Sequence, residues 1–305
     1  MPLFSIIIPT FNRAVQLRNC LAAIAALDLP ADNFEVIVVD DGSKSLPDAI
    51  VNKFSKSLKI SLLSQKNSGP AAARNNGADR ATGQFLVFTD DDCAPATDWL
   101  TQIARQIKST PDALIGGKSI NAIPENIFSE TSQLLIDYLY DYFESTNRDG
   151  RFFTSNNLVV PANLFHKLGG FDSNFPLAAG EDRAFCERWT ANGWQSVYLP
   201  DAKIYHFHTL TFAGFWRQHF NYGCGVRQLQ QNRQQRAAKT PSLQPLSFYV
   251  NLLMYPLRRA RSFRALAGIL LMLISQIATA AGYFFSKKKM SGKPIATGES
   301  FPENF

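Results

Sequence analysis

The chain is poor in cysteine and in charge for its size. Its 305 residues include four cysteines, Cys20, Cys93, Cys186 and Cys224, and no two form a Cys-x-x-Cys pair. They read as reduced thiols in a cytosolic protein. No Gly-x-Gly-x-x-Gly follows an apolar run, and no Walker-type Gly-rich loop ending in Lys-Ser/Thr occurs. A dinucleotide dehydrogenase and a P-loop enzyme are therefore disfavoured. No Ser-His-acid elbow is visible either. The start, Met1–Pro9, lacks a basic stretch and a small-residue cleavage site, so it is expected to be a strand rather than a signal peptide. Charged residues make up 18% against 46% apolar, which rules out a disordered chain, a collagen-like repeat or a coiled coil.

Acidic residues are scarce in one region only. The net charge of +6 conceals a split: residues 226–305 hold 12 Lys/Arg and two acids, which leaves a balance of −4 on residues 1–225. A slightly acidic body with a basic tail is not the footprint of a nucleic-acid binder. It suits a cytosolic domain tethered near an anionic membrane.

The first half alternates two patterns. Short, mostly apolar runs at 4–8, 36–39, 60–63 and 85–89 predict buried strands, and Pro9, Asp40 and Asp90 stop three of them. Between them lie helical patterns, one with Leu17, Cys20, Leu21 and Ile24 on one face and Asn12 as its expected cap, another starting at Pro70. Strands separated by helices predict a parallel α/β sheet with crossover connections. Further on, helices are expected over 130–145 and 180–193, and short strands at 196–199 and 203–206. Residues 227–240 are rich in Gln and Arg and read as an exposed helix end or linker.

One long apolar segment is present. Ala265–Ser286 is 22 residues without a charge. As a helix it would be about 33 Å long, against a bilayer core of roughly 30 Å. Arg258, Arg259, Arg261 and Arg264 flank one end and Lys287–Lys289 the other. The segment is expected either to span a membrane or to lie in its interface, and charge at both ends leaves the orientation open.

In doubly wound sheets, ligands bind at the carboxyl ends of the strands. Three polar clusters fall at such ends: Pro9–Arg13, Asp40–Ser43 and Asp90–Asp92. Carboxylates gathered on one rim repel one another unless a cation neutralises them, and oxygen ligands suit Mg²⁺ or Mn²⁺.

Six motifs then follow in order: Ser5–Arg13 (Ser-Ile-Ile-Ile-Pro-Thr-Phe-Asn-Arg), Val38–Ser43 (Val-Val-Asp-Asp-Gly-Ser), Gly69–Gly77 (Gly-Pro-Ala-Ala-Ala-Arg-Asn-Asn-Gly), the Asp90/Asp92 D-x-D, Gly169–Asp172 (Gly-Gly-Phe-Asp) and Gly180–Arg183 (Gly-Glu-Asp-Arg). Each alone is weak; together they resemble the family 2 glycosyltransferases of the GT-A fold over residues 3–225. The resemblance implies an α/β GT-A domain, a mostly parallel mixed sheet flanked by helices, over 1–225. Residues 226–305 would form a basic linker and a C-terminal helical membrane-associating segment. It also implies an inverting transfer from a nucleotide-diphosphate sugar that depends on Mn²⁺ or Mg²⁺.

The resemblance carries roles to particular positions. Phe11 would pack on the nucleobase, with Pro9, Thr10 and Arg13 completing that side of the pocket. Asp41 ranks first as acceptor for the ring N–H of a uracil or thymine, and Asp40 would face the ribose. Arg74 would reach the diphosphate or the acid cluster. Asp92 would bind the metal, Asp90 the ribose or a metal-bound water, and Asp91 would support them. His206 would complete the metal shell, with His208 the lesser candidate. Asn156 would contact the donor sugar and Arg217 the diphosphate. Asp182 would be the general base, with Glu181 orienting the acceptor or sharing the role. The expected partners are a UDP- or dTDP-sugar, a glycan or lipid-linked acceptor and a membrane, with the catalytic part on the cytoplasmic side. The alternative is a protein of the same fold that binds a nucleotide sugar without chemistry.

Overall fold

The computed structural model describes residues 1–146, 152–175, 179–235, 244–259 and 263–285. The basic residues Arg261 and Lys287–Lys289 lie outside the described residues, as does the stretch 236–243.

Four strands follow the first-half pattern: β1 (Phe4–Thr10), β2 (Phe34–Asp40), β3 (Ile60–Ser64) and β4 (Phe85–Phe88). They are all parallel, in the order β3-β2-β1-β4, linked by helices α1 (Ala14–Ala25), α2 (Asp48–Phe54) and α3 (Pro70–Arg80). The sheet continues through β7 (Leu158–Pro161), β6 (Leu114–Asn121), β8 (Ser196–His206) and β5 (Cys93–Pro95). β7 is antiparallel to both neighbours, β6 and β8 are parallel, and β5 is antiparallel to β8. Eight strands thus form one mixed sheet.

Side chains alternate across this sheet and build a core on each face. Ile6 and Ile8 of β1 pack with Val36, Val38 and Val87 against Leu17, Leu21 and Ile24 of α1. On the same face lie Trp99, Leu100 and Ile103 of α4 (Trp99–Ile107). Ile7 points the other way, toward Leu86, Phe88 and a cluster of Phe165, Phe171, Phe185 and Trp189. That cluster comes from α6 (Ala162–Leu168), the Gly-Gly-Phe-Asp turn and α7 (Glu181–Ala191). Full burial of each such side chain contributes roughly 1.5–3 kcal/mol. Asn75 of α3 clamps the turn, donating to the Phe171 carbonyl at 2.8 Å and accepting from its N–H at 2.9 Å.

Three details differ from the sequence expectations. Asn12 does not cap α1. It sits at φ 56°, and its Oδ1 accepts from Lys44 N at 2.9 Å, so it ties the β1 end to the β2 turn. The two strands expected at 196–199 and 203–206 are one strand, β8. A register shift opposite Gly117/Lys118 lets it pass through Pro200. The polar stretch from 227 continues helix α8 (Phe212–Gln235), so the expected domain limit at 225/226 falls inside a helix. The long apolar segment forms a helix as expected, α10 (Phe263–Phe285), packed beside α8, α9 (Leu246–Arg259) and α5 (Ile127–Thr146). Gly223 and Gly282 make this approach possible. A Cβ on Gly223 would lie 1.9 Å from the Thr279 carbonyl oxygen, and one on Gly282 1.9 Å from that of Phe220.

Candidate active site

Strand register brings the first two clusters to one rim. Thr10 and Asp40 are paired at the carboxyl ends of β1 and β2, and Asp41 N donates to the Thr10 carbonyl at 2.9 Å. β4 ends beside β1, so Asp90–Asp92 emerge at the same edge. Antiparallel pairing of β5 with β8 sets Cys93 opposite His206 and delivers the histidine to Asp92. Phe11 is 42% exposed at this rim, so its ring is open for stacking rather than part of the core. Pro9 and Thr10 are buried beneath it.

The three acids of the D-x-D stretch have different partners. Asp91 is buried; Thr10 Oγ1 donates to it at 2.7 Å and Arg13 Nη1 at 3.1 Å. Burial outweighs these donors and pushes its carboxyl up to about 6. Asp92 faces His206 Nε2 at 3.2 Å, His208 Nδ1 at 3.7 Å and Arg13 Nη1 at 3.0 Å. Burial acts to raise it, but these hydrogen bonds and charges win and hold it well below the usual carboxylate range. His206 is shifted upward: burial opposes its charge, and the bond to Asp92 more than offsets that. Its ring stacks on His208, centroids 5.1 Å apart. Asp90 points elsewhere, with Arg74 Nη2 on its Oδ1 at 2.6 Å.

Arg74 links the rim to the Glu181-Asp182 pair. It is buried, not the surface residue that a helix arginine usually is, and its Nη1 donates to Glu181 Oε1 at 3.2 Å. Gly180 at φ 99° turns the chain into α7, so the two acids occupy its first turn. Burial, with the Asp182 charge second, pushes Glu181 up to about 7. Its Oε2 has no protein partner. Asp182 is half-buried and accepts from Arg183 N at 2.7 Å. Burial raises it as well.

Among candidate cation ligands, Asp92, Cys93 and His206 have donor atoms that all lie within 4.8 Å of one another. Burial pushes the Cys93 thiol well up, so it stays protonated, and sulfur is a poor match for Mg²⁺ or Mn²⁺. Asp92 with His206 is the part of this set that fits such a cation. Asp90, expected beside them, is engaged by Arg74 instead. Asp41 is also differently placed from the expectation. Gln65 Nε2, Ser68 N and Gly69 N donate to its carboxylate at 2.8, 2.8 and 2.9 Å. Asp40 takes only the N–H of Ser43, at 3.1 Å. Among the described residues, Asp40 therefore has fewer internal donors than Asp41. Asn156 is buried and accepts from Ser119 and Thr154. Arg217 is exposed on α8, one residue before Gln218, which bonds His208 at 3.0 Å. His208, the lesser candidate from the sequence, also faces Asp92, and Cys93 is a neighbour that none of the six motifs names. The alternation of the β8 exit could have flagged His208, and its neighbour in the strand pairing is what places Cys93.

The family model for "Glycosyl transferase family 2" matches residues 5–169. The chain belongs to this family. This family 2 glycosyltransferase is 28% identical over 237 residues to glycosyltransferase AglE of Haloferax volcanii, covering 75% of this chain and 74% of that one. It is 34% identical over 213 residues to the poly(ribitol-phosphate) beta-N-acetylglucosaminyltransferase TarS of Staphylococcus aureus, over 67% of this chain but 35% of TarS. The chain thus spans most of AglE and about a third of TarS. Among solved structures it resembles the Pyrobaculum calidifontis mannosyltransferase PcManGT, in complex with GDP-Man and Mn²⁺. The TM-score is 0.65 at 19% identity, covering 94% of this chain and 88% of that one, which supports the GT-A fold.

Proposed function

We propose that this glycosyltransferase moves a sugar from a nucleotide-diphosphate donor to an acceptor hydroxyl with inversion, and that it needs Mn²⁺ or Mg²⁺. The observation that carries this reading is Arg74. One buried guanidinium holds Asp90 of the D-x-D and Glu181 of the acid pair together. Donor-side and acceptor-side groups are thereby fixed around one centre.

Each residue then has a physical task. Phe11 offers an exposed ring to the base, and Asp40, which accepts from Ser43 N, has acceptor capacity left for a ring N–H or the ribose. Arg13 and Arg217 bring positive charge toward the diphosphate, and Asn156 lines the donor-sugar side. Asp92 and His206 would hold the cation, which when bound neutralises the charge on a departing nucleoside diphosphate. Asp182, with its carboxyl raised by burial, accepts the acceptor hydroxyl's proton. Glu181, pinned by Arg74, orients it. Inversion requires a single displacement with base and leaving group on opposite sides of the anomeric carbon.

UDP- and dTDP-sugars are the proposed donors, and a lipid-linked or surface glycan is the proposed acceptor. AglE and TarS are glycosyltransferases by name, and TarS acts on poly(ribitol-phosphate). The catalytic part would face the cytoplasm, where nucleotide sugars are made, with a membrane reached through α10. The test is nucleoside-diphosphate release from UDP-, dTDP- and GDP-sugars with Mn²⁺, Mg²⁺ or EDTA. We expect one donor to be hydrolysed, only with metal, and the activity to vanish in Asp92→Asn and Asp182→Asn. Equal turnover in EDTA would refute the metal requirement.

A further inference from the structure

Helix α10 has two opposite faces of different construction. Toward the protein it presents mostly small residues: Ala265, Gly268, Ser275, Ala278 and Gly282 are buried. Toward solvent it presents Phe263, Leu266, Leu270, Leu273, Ile277 and Phe284, all 45% exposed or more. The spacings of three, four and seven keep this set on one side of the helix. Beside it, the outer face of α9 adds Leu246, Tyr249, Val250 and Met254, also exposed. Two adjacent helices thus form an apolar plate, which is larger than a soluble surface normally leaves uncovered.

The length of α10 alone permits a membrane span, but its neighbours do not. α8 lies alongside it: His219 O accepts from Thr279 Oγ1 at 3.2 Å, Gly223 meets Thr279 and Tyr283, and Arg227 Nη1 donates to the Tyr283 carbonyl at 3.3 Å. α8 is itself bound to the catalytic body, through the Arg233–Glu187 ion pair at 2.8 Å and Asn232 on Asp172 at 3.0 Å. Phe215 of α8 packs against Leu271 and Ile274 near the middle of α10, so an α10 crossing the bilayer would take Arg217 of α8 toward mid-depth, where a charge is costly. It would also immerse Gln218, which bonds His208 at the site. At the other end, Arg264 holds the Pro124 and Glu125 carbonyls.

We propose that the chain attaches to an anionic bilayer in plane, through the outer faces of α9 and α10, without crossing it. Charge selects lipid over a second copy of the chain. The helices α9 and α10 contain Arg258, Arg259 and Arg264 and no Asp or Glu. A helical dimer seam ordinarily carries charges of both signs at its flanks. A plate with basic residues alone fits anionic headgroups. Exposed Arg258, at the C-terminal end of α9, is placed to meet them. This inference rests on the membrane partner proposed above and specifies its geometry.

The test uses the full chain with phosphatidylcholine vesicles containing or lacking phosphatidylglycerol. Nitroxides are attached through Leu266→Cys, Leu273→Cys and Phe284→Cys, and their depth is measured by paramagnetic relaxation. In-plane attachment gives similar shallow depths, about 5–10 Å, at all three positions. A depth profile that peaks at the bilayer centre for position 273 would overturn the in-plane geometry while leaving the membrane partner intact. Leu270→Asp should weaken vesicle binding about tenfold or more, with donor hydrolysis unchanged. Arg258→Gln should weaken it about fivefold on anionic vesicles only. No binding to either vesicle, with a dimer in light scattering that Leu270→Asp dissociates, would overturn both membrane readings and assign the plate to a second copy.

Discussion

Glu181→Gln isolates the electrostatics of the acid pair. Glu181 is buried, beside Asp182 and bonded to Arg74 at 3.2 Å. Its folded value, about 7, lies above the ordinary 4.5. The folded state therefore binds this proton more tightly than the unfolded chain does. The stability contribution is fully present below pH 4.5 and is lost as pH rises through about 7. At 1.36 kcal/mol per unit, the loss between pH 5 and pH 8 is about 2–3 kcal/mol. Glutamine keeps the neutral shape and has no such slope. Wild type and variant should be nearly equal in stability at pH 5, and the variant should be the more stable by about 2 kcal/mol at pH 8. Urea unfolding at pH 5, 6, 7 and 8, with unfolding slopes compared, measures this directly. A wild-type advantage that stays constant or grows with pH would show that Arg74 holds Glu181 ionised, and the reasoning would fail.

Asp182→Asn should lower transfer by roughly 10²–10⁴ with donor affinity retained, and calorimetry with the nucleoside diphosphate checks the second half. Asp40→Asn should weaken nucleotide binding with little change in melting temperature. Asp41→Asn should do the reverse, because it disturbs three internal donors; a nucleotide-binding loss in Asp41→Asn alone would restore the opposite ranking. Gly282→Ala drives a Cβ into the Phe220 carbonyl and should cost about 1–3 kcal/mol. The melting temperature and protease resistance of α10 would fall together. An unaffected variant would mean that α10 does not dock on α8.

The parallel half of the sheet and its motifs were legible because they are local. Runs such as Phe4–Ile8 and Val36–Val39 are mostly apolar, as strands buried on both faces must be, and Pro9 and Asp40 end them. The order of the acid clusters along the chain likewise named the rim, since parallel strands bring their carboxyl ends to one edge. What the sequence does not encode locally is which way a polar side chain turns once strands from distant regions meet. That Arg74 reaches the acid cluster is implied by the resemblance, but that the same guanidinium also holds Glu181 is decided only when α7 packs over it. Asp40 and Asp41 are adjacent and chemically identical, and only the loop from Gln65 to Gly69 distinguishes them. Asp90 and Asp92 diverge because one meets α3 and the other the end of β8. β8 itself is interrupted in sequence by Pro200 and continuous in space because β6 shifts register opposite it. The composition of α10 permits a span and an interfacial helix equally. The small-residue face against α8 and the ties of α8 to the catalytic body favour the interface, because a helix cannot cross a bilayer without the polar partner packed along its length.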